Sequence, residues 1–162
     1  MAERKRSVLD RLEKIMTAAA ALCLFVMALV TGADVVGRGA MNAPLFGSEE
    51  IVSILAVLAV GLSLPYAHSQ DSHIGVEALY QRLSRKTRRF LRFATGLASA
   101  ALFAVTAWRM VLYGFSMRDS GMVSMNLALP VYWVVWVLGG CFVVFAVRLA
   151  QTALQSLSKD FR

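Results

Sequence analysis

Four long, predominantly apolar stretches alternate with polar segments along the chain. They run approximately over residues 15–37, 49–70, 90–113 and 127–149. A helix needs about 20 mostly apolar residues to cross a bilayer, because it rises ~1.5 Å per residue through a hydrocarbon core of ~30 Å. A closed barrel also satisfies its backbone polar groups in lipid, but these stretches are about twice the length of a barrel strand. The pattern therefore predicts an all-α integral membrane protein with four transmembrane helices, in a single domain over residues 1–162.

A cleaved secretory signal is the less favoured interpretation of the first stretch. Its apolar run exceeds the ~7–15 residues of a signal core, and Asp10 and Glu13 interrupt the basic segment before it. We therefore expect this stretch to form a transmembrane helix.

The basic residues predict how the four helices are oriented. Of the 17 lysines and arginines, all but Arg38, Arg109 and Arg118 lie before the first stretch, between the second and third, or at the C-terminal end. The positive-inside rule then places the N- and C-termini in the cytoplasm. Arg109 is expected to snorkel from the third helix to the outer surface.

Two amphipathic segments with basic flanks lie on the predicted cytoplasmic side. In residues 4–14 and 76–83 apolar side chains recur at helical spacing, and the basic run 85–89 follows the second segment. Such segments suit helices that lie in the headgroup layer of anionic lipid. The sequence therefore predicts an interfacial helix before the first span and another between the second and third. A basic docking patch for a cytoplasmic protein is the alternative interpretation.

The connection between the first two stretches combines helix-breaking, capping and charged residues. Pro44 and the glycines around it prevent the helix from continuing. Ser48 is a natural N-cap for the second helix, and Glu49 and Glu50 in its first turn complement the positive end of the helix dipole. These residues are thus explained as a cap, and the alternative is a polar contact with a partner at the membrane boundary.

Arg38 admits the same two interpretations. It lies four residues after Asp34, which is the spacing for an ion pair on the last turn of the first helix. In the alternative, Arg38 joins Glu49 and Glu50 in contacting the partner.

The composition points to a membrane and away from nucleic acid. Residues of the set AVILMFWYC make up 58% of the chain and the formal net charge is +7, while the mean hydropathy is +0.62. A basic balance in so apolar a chain suits a membrane surface, and no nucleic-acid-binding pattern accompanies it.

The usual groups for catalysis and cofactor binding are missing. Cys23 and Cys141 are isolated in apolar stretches, which excludes a disulfide scaffold and a four-thiolate zinc site. His68 and His73 both lie near the cytoplasmic end of the second helix, whereas a membrane haem needs axial ligands on facing helices. The sequence has no Gly-x-x-x-x-Gly-Lys phosphate loop, and the second and fourth stretches carry no ionisable residue near mid-bilayer. We therefore expect no enzyme activity, cofactor or metal, and interpret the chain as a subunit of a larger assembly.

Small residues and one histidine are the remaining candidates for a specific structural role. Small residues let helix backbones approach closely in membranes. The candidates for helix packing are Gly61, Gly96, Gly139 and Gly140. His73 is assigned to ordering the start of the interfacial helix.

Several motifs, in their order along nearly the whole chain, resemble the small membrane subunit of tripartite ATP-independent periplasmic (TRAP) transporters. The quoted motifs are Arg38-x5-Pro44-Leu-Phe-Gly-Ser48-Glu49-Glu50, Gly61 in helix two, His73-Ile-x-Val76, and Ala128-Leu129-Pro130 before helix four. One departure is Gly47, where the family often has an aromatic residue, and this departure is expected to weaken the anchor at the membrane boundary.

The resemblance implies a role in transport at the bacterial inner membrane. It implies a large membrane subunit that carries the substrate and sodium sites and moves as an elevator, with this chain as its scaffold. It also implies a periplasmic substrate-binding protein that docks on the outer face, and uptake of an organic acid driven by a sodium gradient. Under this reading, Arg38, Glu49 and Glu50 organise the outer hairpin and contact one of these partners.

Two other functions remain open at this point. One is an assembly or stabilising subunit of an unrelated membrane complex with the same four spans. The other is a small homo-oligomeric exporter, which the lack of a mid-membrane carboxylate disfavours.

Overall fold

Four helices make up most of the described part of the chain. The computed structural model describes residues 8–69 and 85–158, which form α1 (Val8–Met41), α2 (Ser48–Ser69), α3 (Arg85–Asp119) and α4 (Tyr132–Ser158). All four contain a segment that is long and apolar enough to cross a membrane. These segments are Leu9–Met41, Ser48–His68, Phe93–Asp119 and Tyr132–Leu154. The predicted all-α fold with four long apolar helices is confirmed.

The two predicted interfacial helices lie partly or wholly outside the described residues. Residues 8–14 continue into α1 without a break, so the described part of the lead-in belongs to the same helix as the first span. The segment 76–83 and His73 lie outside the described residues. An interfacial position for either segment stays a prediction.

The fourth helix begins later than the apolar pattern suggests. Residues 120–131 form a loop, so that 127–131 precede α4. In this loop Gly121 and Ala128 adopt positive φ angles of 63° and 51°, and Val123 pairs with Pro130 in an isolated antiparallel bridge. A folded-back loop of this kind cannot continue a helix, although its residues are apolar.

Helix packing follows the order α1, α2, α4, α3. The main contacts join α1 to α2, α2 to α4, and α3 to α4. The core between α3 and α4 consists of Ala100, Phe145 and Leu149. The ring of Phe103 contacts that of Phe145 edge-on, at a centroid distance of 4.6 Å.

Three glycines lie where helices approach each other closely. A Cβ at Gly61 of α2 would overlap Leu138 of α4. A Cβ at Gly96 of α3 would lie 2.9 Å from the Cβ of Ala153. A Cβ at Gly139 of α4 would make ordinary van der Waals contact with α3, 3.5 Å from the Cβ of Met110.

Gly140 differs from these three glycines. It is exposed, and a Cβ added there would meet no atom within 4 Å among the described residues. Its helix face is therefore open in the single chain.

The helix assembly has two polar ends. The hairpin end holds the α1–α2 connection and the 120–131 loop, and the terminal end holds the start of α1 and the end of α4.

Candidate functional site

Asp34 organises the hairpin end from the last turns of α1. Its carboxylate lies 2.6 Å from the Arg38 guanidinium and accepts a hydrogen bond of 2.8 Å from the backbone N–H of Leu45. The Ser48 hydroxyl also interacts with this carboxylate, and both Asp34 and Ser48 are buried. The expected Asp34–Arg38 pair is thus confirmed, and the same carboxylate fixes the connection to α2.

Glu50 ties the first turn of α2 to the 120–131 loop. Its Oε2 accepts hydrogen bonds from the Ser124 hydroxyl, at 2.8 Å, and from the backbone N–H of Leu127, at 3.0 Å. Its Oε1 accepts one from the backbone N–H of Asn126, at 2.6 Å. A carboxylate that accepts three such bonds fixes the loop, because loop N–H groups have no partners in a helix or sheet.

Ser124 completes the attachment of this loop. Its backbone N–H donates to the carbonyl of Leu129 at 2.9 Å, and its hydroxyl accepts from the N–H of Leu129 at 3.1 Å. The loop is therefore closed on itself by Ser124 and held to α2 by Glu50.

Gly47, the departure from the family pattern, is required by this arrangement. Its φ is +76°, which favours glycine over residues with a side chain. A Cβ at this position would lie 2.6 Å from the side chain of Leu127. The side chain of Leu127 thus fills the space that any side chain at position 47 would need.

The remaining hairpin residues are open to the surroundings. The side chain of Glu49 is 85% exposed and that of Arg38 is 53% exposed, with 3.9 Å between Glu49 Oε1 and Arg38 Nη2. Pro44 is exposed in the connection between them. Glu50 is engaged within the chain, so Arg38 and Glu49 are the charged groups of the hairpin that remain accessible to a partner.

A second polar group lies at the terminal end and joins α1 to α4. Arg148 of α4 lies 3.1 Å from Glu13 (Nε to Oε1) and 3.2 Å from Asp10 (Nη1 to Oδ1). The side chains of Arg148 and Glu13 are only 9% and 7% exposed. This ion triad, which is buried at Arg148 and Glu13 and partly exposed at Asp10, connects the first and last helices of the chain. It is called the buried ion triad after the Arg148–Glu13 pair.

The sequence did not predict either long-range connection, the ion triad of Arg148 or the hydrogen bonds of Glu50 with the 120–131 loop. In the sequence, Asp10 and Glu13 interrupt a basic segment, and Arg148 counts with the cytoplasmic charges. A useful signal was available, because two acids one helical turn apart and a single arginine in an apolar helix suit a buried pair. The partners of Glu50 gave no such signal, since two of its three hydrogen bonds come from backbone N–H groups.

The described residues contain no assembled centre for metal binding. Among residues 8–69 and 85–158 no three His, Cys, Asp or Glu side chains are grouped as metal ligands. Cys23 and Cys141 are both free thiols. The polar groups that the structure brings together are ion pairs and loop contacts at the two ends of the helices.

Two comparisons with known proteins connect this arrangement to transport. Residues 27–159 match the family described as "Tripartite ATP-independent periplasmic transporters, DctQ component". The chain is also 28% identical over 153 residues to the ectoine TRAP transporter small permease protein TeaB of Halomonas elongata. That alignment covers 94% of this chain and 77% of the relative.

Proposed function

The chain belongs to the DctQ family of tripartite ATP-independent periplasmic transporter components, and from this premise we propose that it braces a large elevator-type membrane subunit and helps to dock a periplasmic substrate-binding protein. As a TRAP small permease subunit it is a transport component and not an enzyme.

The observation that supports the bracing role is the buried ion triad of Arg148, Asp10 and Glu13. It joins the first and last helices at the terminal end, while Glu50 holds the 120–131 loop at the other end. A helix assembly fastened at both ends suits a static support better than a moving part. The mobile substrate site is assigned to the large subunit.

The hairpin end is proposed as the outer, periplasmic end. The positive-inside rule supports this orientation, because most lysines and arginines lie before or at the start of α1, between the end of α2 and the first turns of α3, or toward the C-terminal end of the chain. The chain then lies in the bacterial inner membrane with both termini in the cytoplasm. Anionic headgroups on that side attract the basic segments.

The docking role is assigned to the accessible charges of the hairpin. Arg38 and Glu49 are 53% and 85% exposed in their side chains, and together they offer both signs of charge to a protein surface. Charged groups at a rim affect association rate and orientation more than affinity. The binding protein meets this chain at its outer end under this proposal.

The transported solute is proposed to be an organic acid taken up with sodium. The ectoine named for the relative belongs to that protein and serves here as a comparison solute. The residues that select the solute lie in the other two components under this proposal.

Uptake into reconstituted vesicles tests the proposal. Vesicles that hold the large subunit, with the binding protein outside, are compared with and without this chain under an inward sodium gradient. A panel of dicarboxylates, keto acids, sugar acids and ectoine is offered as solute. We expect uptake to require all three components and sodium, and to continue without ATP.

Two results would contradict the proposed role. Full uptake in the absence of this chain would contradict the bracing function. Solute flux through vesicles that hold this chain alone would identify an independent transporter instead. Co-purification with an unrelated complex, and with no large TRAP subunit, would favour the alternative of an assembly factor.

A further inference from the structure

Arg109 lies at a level where α4 packs on α3 through a glycine. A Cβ on Gly139 of α4 would lie 3.5 Å from the Cβ of Met110 and 3.6 Å from the carbonyl oxygen of Ala107. Both of these α3 residues are within two positions of Arg109. The backbone of Arg109 is therefore level with Gly139.

This level is about equally far from the two polar ends. Along α4, Arg148 of the ion triad is nine residues beyond Gly139, a rise of about 13.5 Å. Along α2, Glu50 is eleven residues before Gly61, a rise of about 16.5 Å, and Gly61 packs against Leu138. The two distances together are close to the ~30 Å of a hydrocarbon core.

Arg109 therefore lies well inside the membrane-crossing segment of α3, Phe93–Asp119. Its backbone is ten residues before the end of α3 at Asp119, a rise of about 15 Å, which is farther than an arginine side chain reaches. A guanidinium cannot be deprotonated in proteins, so it carries its charge at this depth.

The described part of the chain offers no counter-charge to Arg109. The residue is exposed, and its side chain makes no ion pair with residues 8–69 or 85–158. On the same side of α3, Val105 and Leu112 are 62% and 46% exposed one turn before and after it. The neighbouring exposed apolar residues are Leu102, Trp108 and Tyr113.

We propose that this surface, the Arg109 face of α3, is the interface with the large membrane subunit, and that a membrane-embedded segment of that subunit presents a carboxylate to Arg109. This inference rests on the proposed function. Charged side chains within membrane spans pair inside protein, because hydrocarbon offers no hydrogen-bond acceptor. A carboxylate gives a guanidinium the strongest such pairing, since both N–H···O bonds are charge-assisted.

A second copy of this chain fits the Arg109 face poorly. A two-fold axis places the same patch on both subunits, so Arg109 would lie close to its own copy. Two like charges in a desolvated interface repel each other.

An apolar groove beside the Arg109 face suits the close approach of a partner helix. It has a volume of about 640 Å³, and Trp108 and Leu112 belong both to its lining and to the Arg109 face. Much of the rest of the lining is alanine, contributed by Ala100, Ala101, Ala104 and Ala107 of α3 and by Ala146 and Ala150 of α4. Small residues let another helix backbone approach closely in lipid.

Co-purification of the large subunit with tagged variants of this chain tests the inference. Arg109→Leu removes the charge, Arg109→Lys retains it, and Val105→Trp adds bulk on the same face. We expect the leucine variant to reduce recovery of the large subunit by at least roughly tenfold, because a carboxylate left unpaired in the membrane is costly. We expect a similar loss with the tryptophan variant, because its bulk keeps the partner helix away from the same face. The lysine variant should retain more than the leucine variant.

Matched controls change a charge and an apolar surface elsewhere. Arg118→Leu removes an exposed arginine at the hairpin end of α3. Leu22→Trp adds the same bulk to α1, where Leu22 is 62% exposed. Both controls should recover the large subunit at the wild-type level, and a membrane-insertion assay on every variant shows that the protein is present and inserted.

A photo-crosslinking amino acid at Leu112 or at Leu22 identifies what covers each face. We expect the probe at Leu112, and not the probe at Leu22, to crosslink to the large subunit. This measurement needs no change at Arg109, so it remains decisive if the leucine variant fails to insert.

Several outcomes overturn the inference. Crosslinks from Leu112 only to lipid, or only to a second copy, would do so, as would wild-type recovery with both Arg109→Leu and Val105→Trp. If the large subunit crosslinks from Leu22 instead, the bracing function stands and the Arg109 face is wrong. If the wild-type chain recovers no large subunit at all, the proposed function itself fails.

Discussion

Arg148 on α4 and Glu13 on α1 lie 3.1 Å apart (Nε to Oε1), with side chains that are only 9% and 7% exposed. Asp10, one turn before Glu13, adds a second contact of 3.2 Å to the same guanidinium. Because removal of one partner from a buried ion pair leaves a desolvated charge, such pairs are sensitive to single changes. The triad is therefore a sensitive point in the connection of α1 to α4.

Replacement of Arg148 by leucine should destabilise the protein strongly. The change leaves Glu13 buried without its cation, and we expect a loss of about 3–5 kcal/mol in the free energy of unfolding. Thermal unfolding in detergent micelles measures this loss as a lower Tm. Lys14→Leu, which removes an exposed cation beside Glu13, is the control and should change stability by less than about 0.5 kcal/mol.

The exchanged pair Glu13→Arg with Arg148→Glu provides a second test of the triad. It restores opposite charges across the two helices, so we expect it to be more stable than either single variant. An Arg148→Leu variant with the wild-type Tm would show that the contact contributes nothing to the joining of α1 and α4.

The replacement Glu50→Gln should loosen the 120–131 loop and reduce uptake severalfold, with insertion unchanged. Glutamine has a single acceptor oxygen, and its amide group would face an N–H donor of Asn126 or Leu127. Hydrogen exchange at residues 124–129 measures the loop directly, and vesicle uptake measures the transport consequence.

Glu49→Gln is the matched control for Glu50→Gln. It removes the same charge one residue away, from a side chain that is 85% exposed and lies 3.9 Å from Arg38. Hydrogen exchange in the loop should stay at the wild-type rate in this variant. Wild-type uptake with Glu50→Gln would leave Glu50 only the role of a helix-capping residue.

The apolar pattern of the sequence was sufficient to predict the four helices. A stretch of about 20 predominantly apolar residues has few alternatives to a helix in a bilayer, so this signal is strong. The Asp34–Arg38 pair was also predictable, because its four-residue spacing lies within one helix.

The apolar pattern and helical spacing do not predict contacts between distant parts of the chain. The Glu50–Ser124 hydrogen bond depends on where a loop folds back over α2. The depth of Arg109 depends on the register of α3 against α4, which the contact of Gly139 with Met110 fixes. Neither the fold of a loop nor the register of two packed helices is encoded in the spacing of apolar residues.

Alanine at Gly47 should cost more stability than alanine at Gly121. Both glycines adopt positive φ angles, +76° and +63°, and a side chain in this conformation costs about 1–2 kcal/mol. An added Cβ at Gly121 meets no atom within 4 Å in the part of the chain that the structure describes, whereas a Cβ at Gly47 would lie 2.6 Å from the side chain of Leu127. The difference between the two Tm shifts therefore isolates the contact with Leu127.

A double-mutant cycle with Leu127→Ala checks this interpretation. The smaller residue removes the overlap, so Gly47→Ala should cost less in that background, and about the same as Gly121→Ala. Equal Tm shifts for the two single glycine variants in the wild-type background would contradict a specific contact between positions 47 and 127.

Leucine at Gly61 should separate α2 from α4. A Cβ at Gly61 would overlap the tip of the Leu138 side chain and lie 3.7 Å from the Cβ of Cys141. Alanine is tolerated if Leu138 changes its rotamer, but a leucine overpacks the contact and should cost about 1–3 kcal/mol. Gly140→Ala is the control, because an added Cβ there meets no atom within 4 Å among the described residues, and alanine favours the helix.

A second substitution, at Leu138, tests whether overpacking causes the loss of stability in Gly61→Leu. Leu138→Ala should reduce the cost of Gly61→Leu, because the removed side chain vacates the space that the new leucine needs. Thermal unfolding of the four proteins in the cycle gives this coupling energy. If the two changes are additive, the loss at Gly61 arises from another contact of α2, and the packing of α2 on α4 depends less on this glycine than the structure indicates.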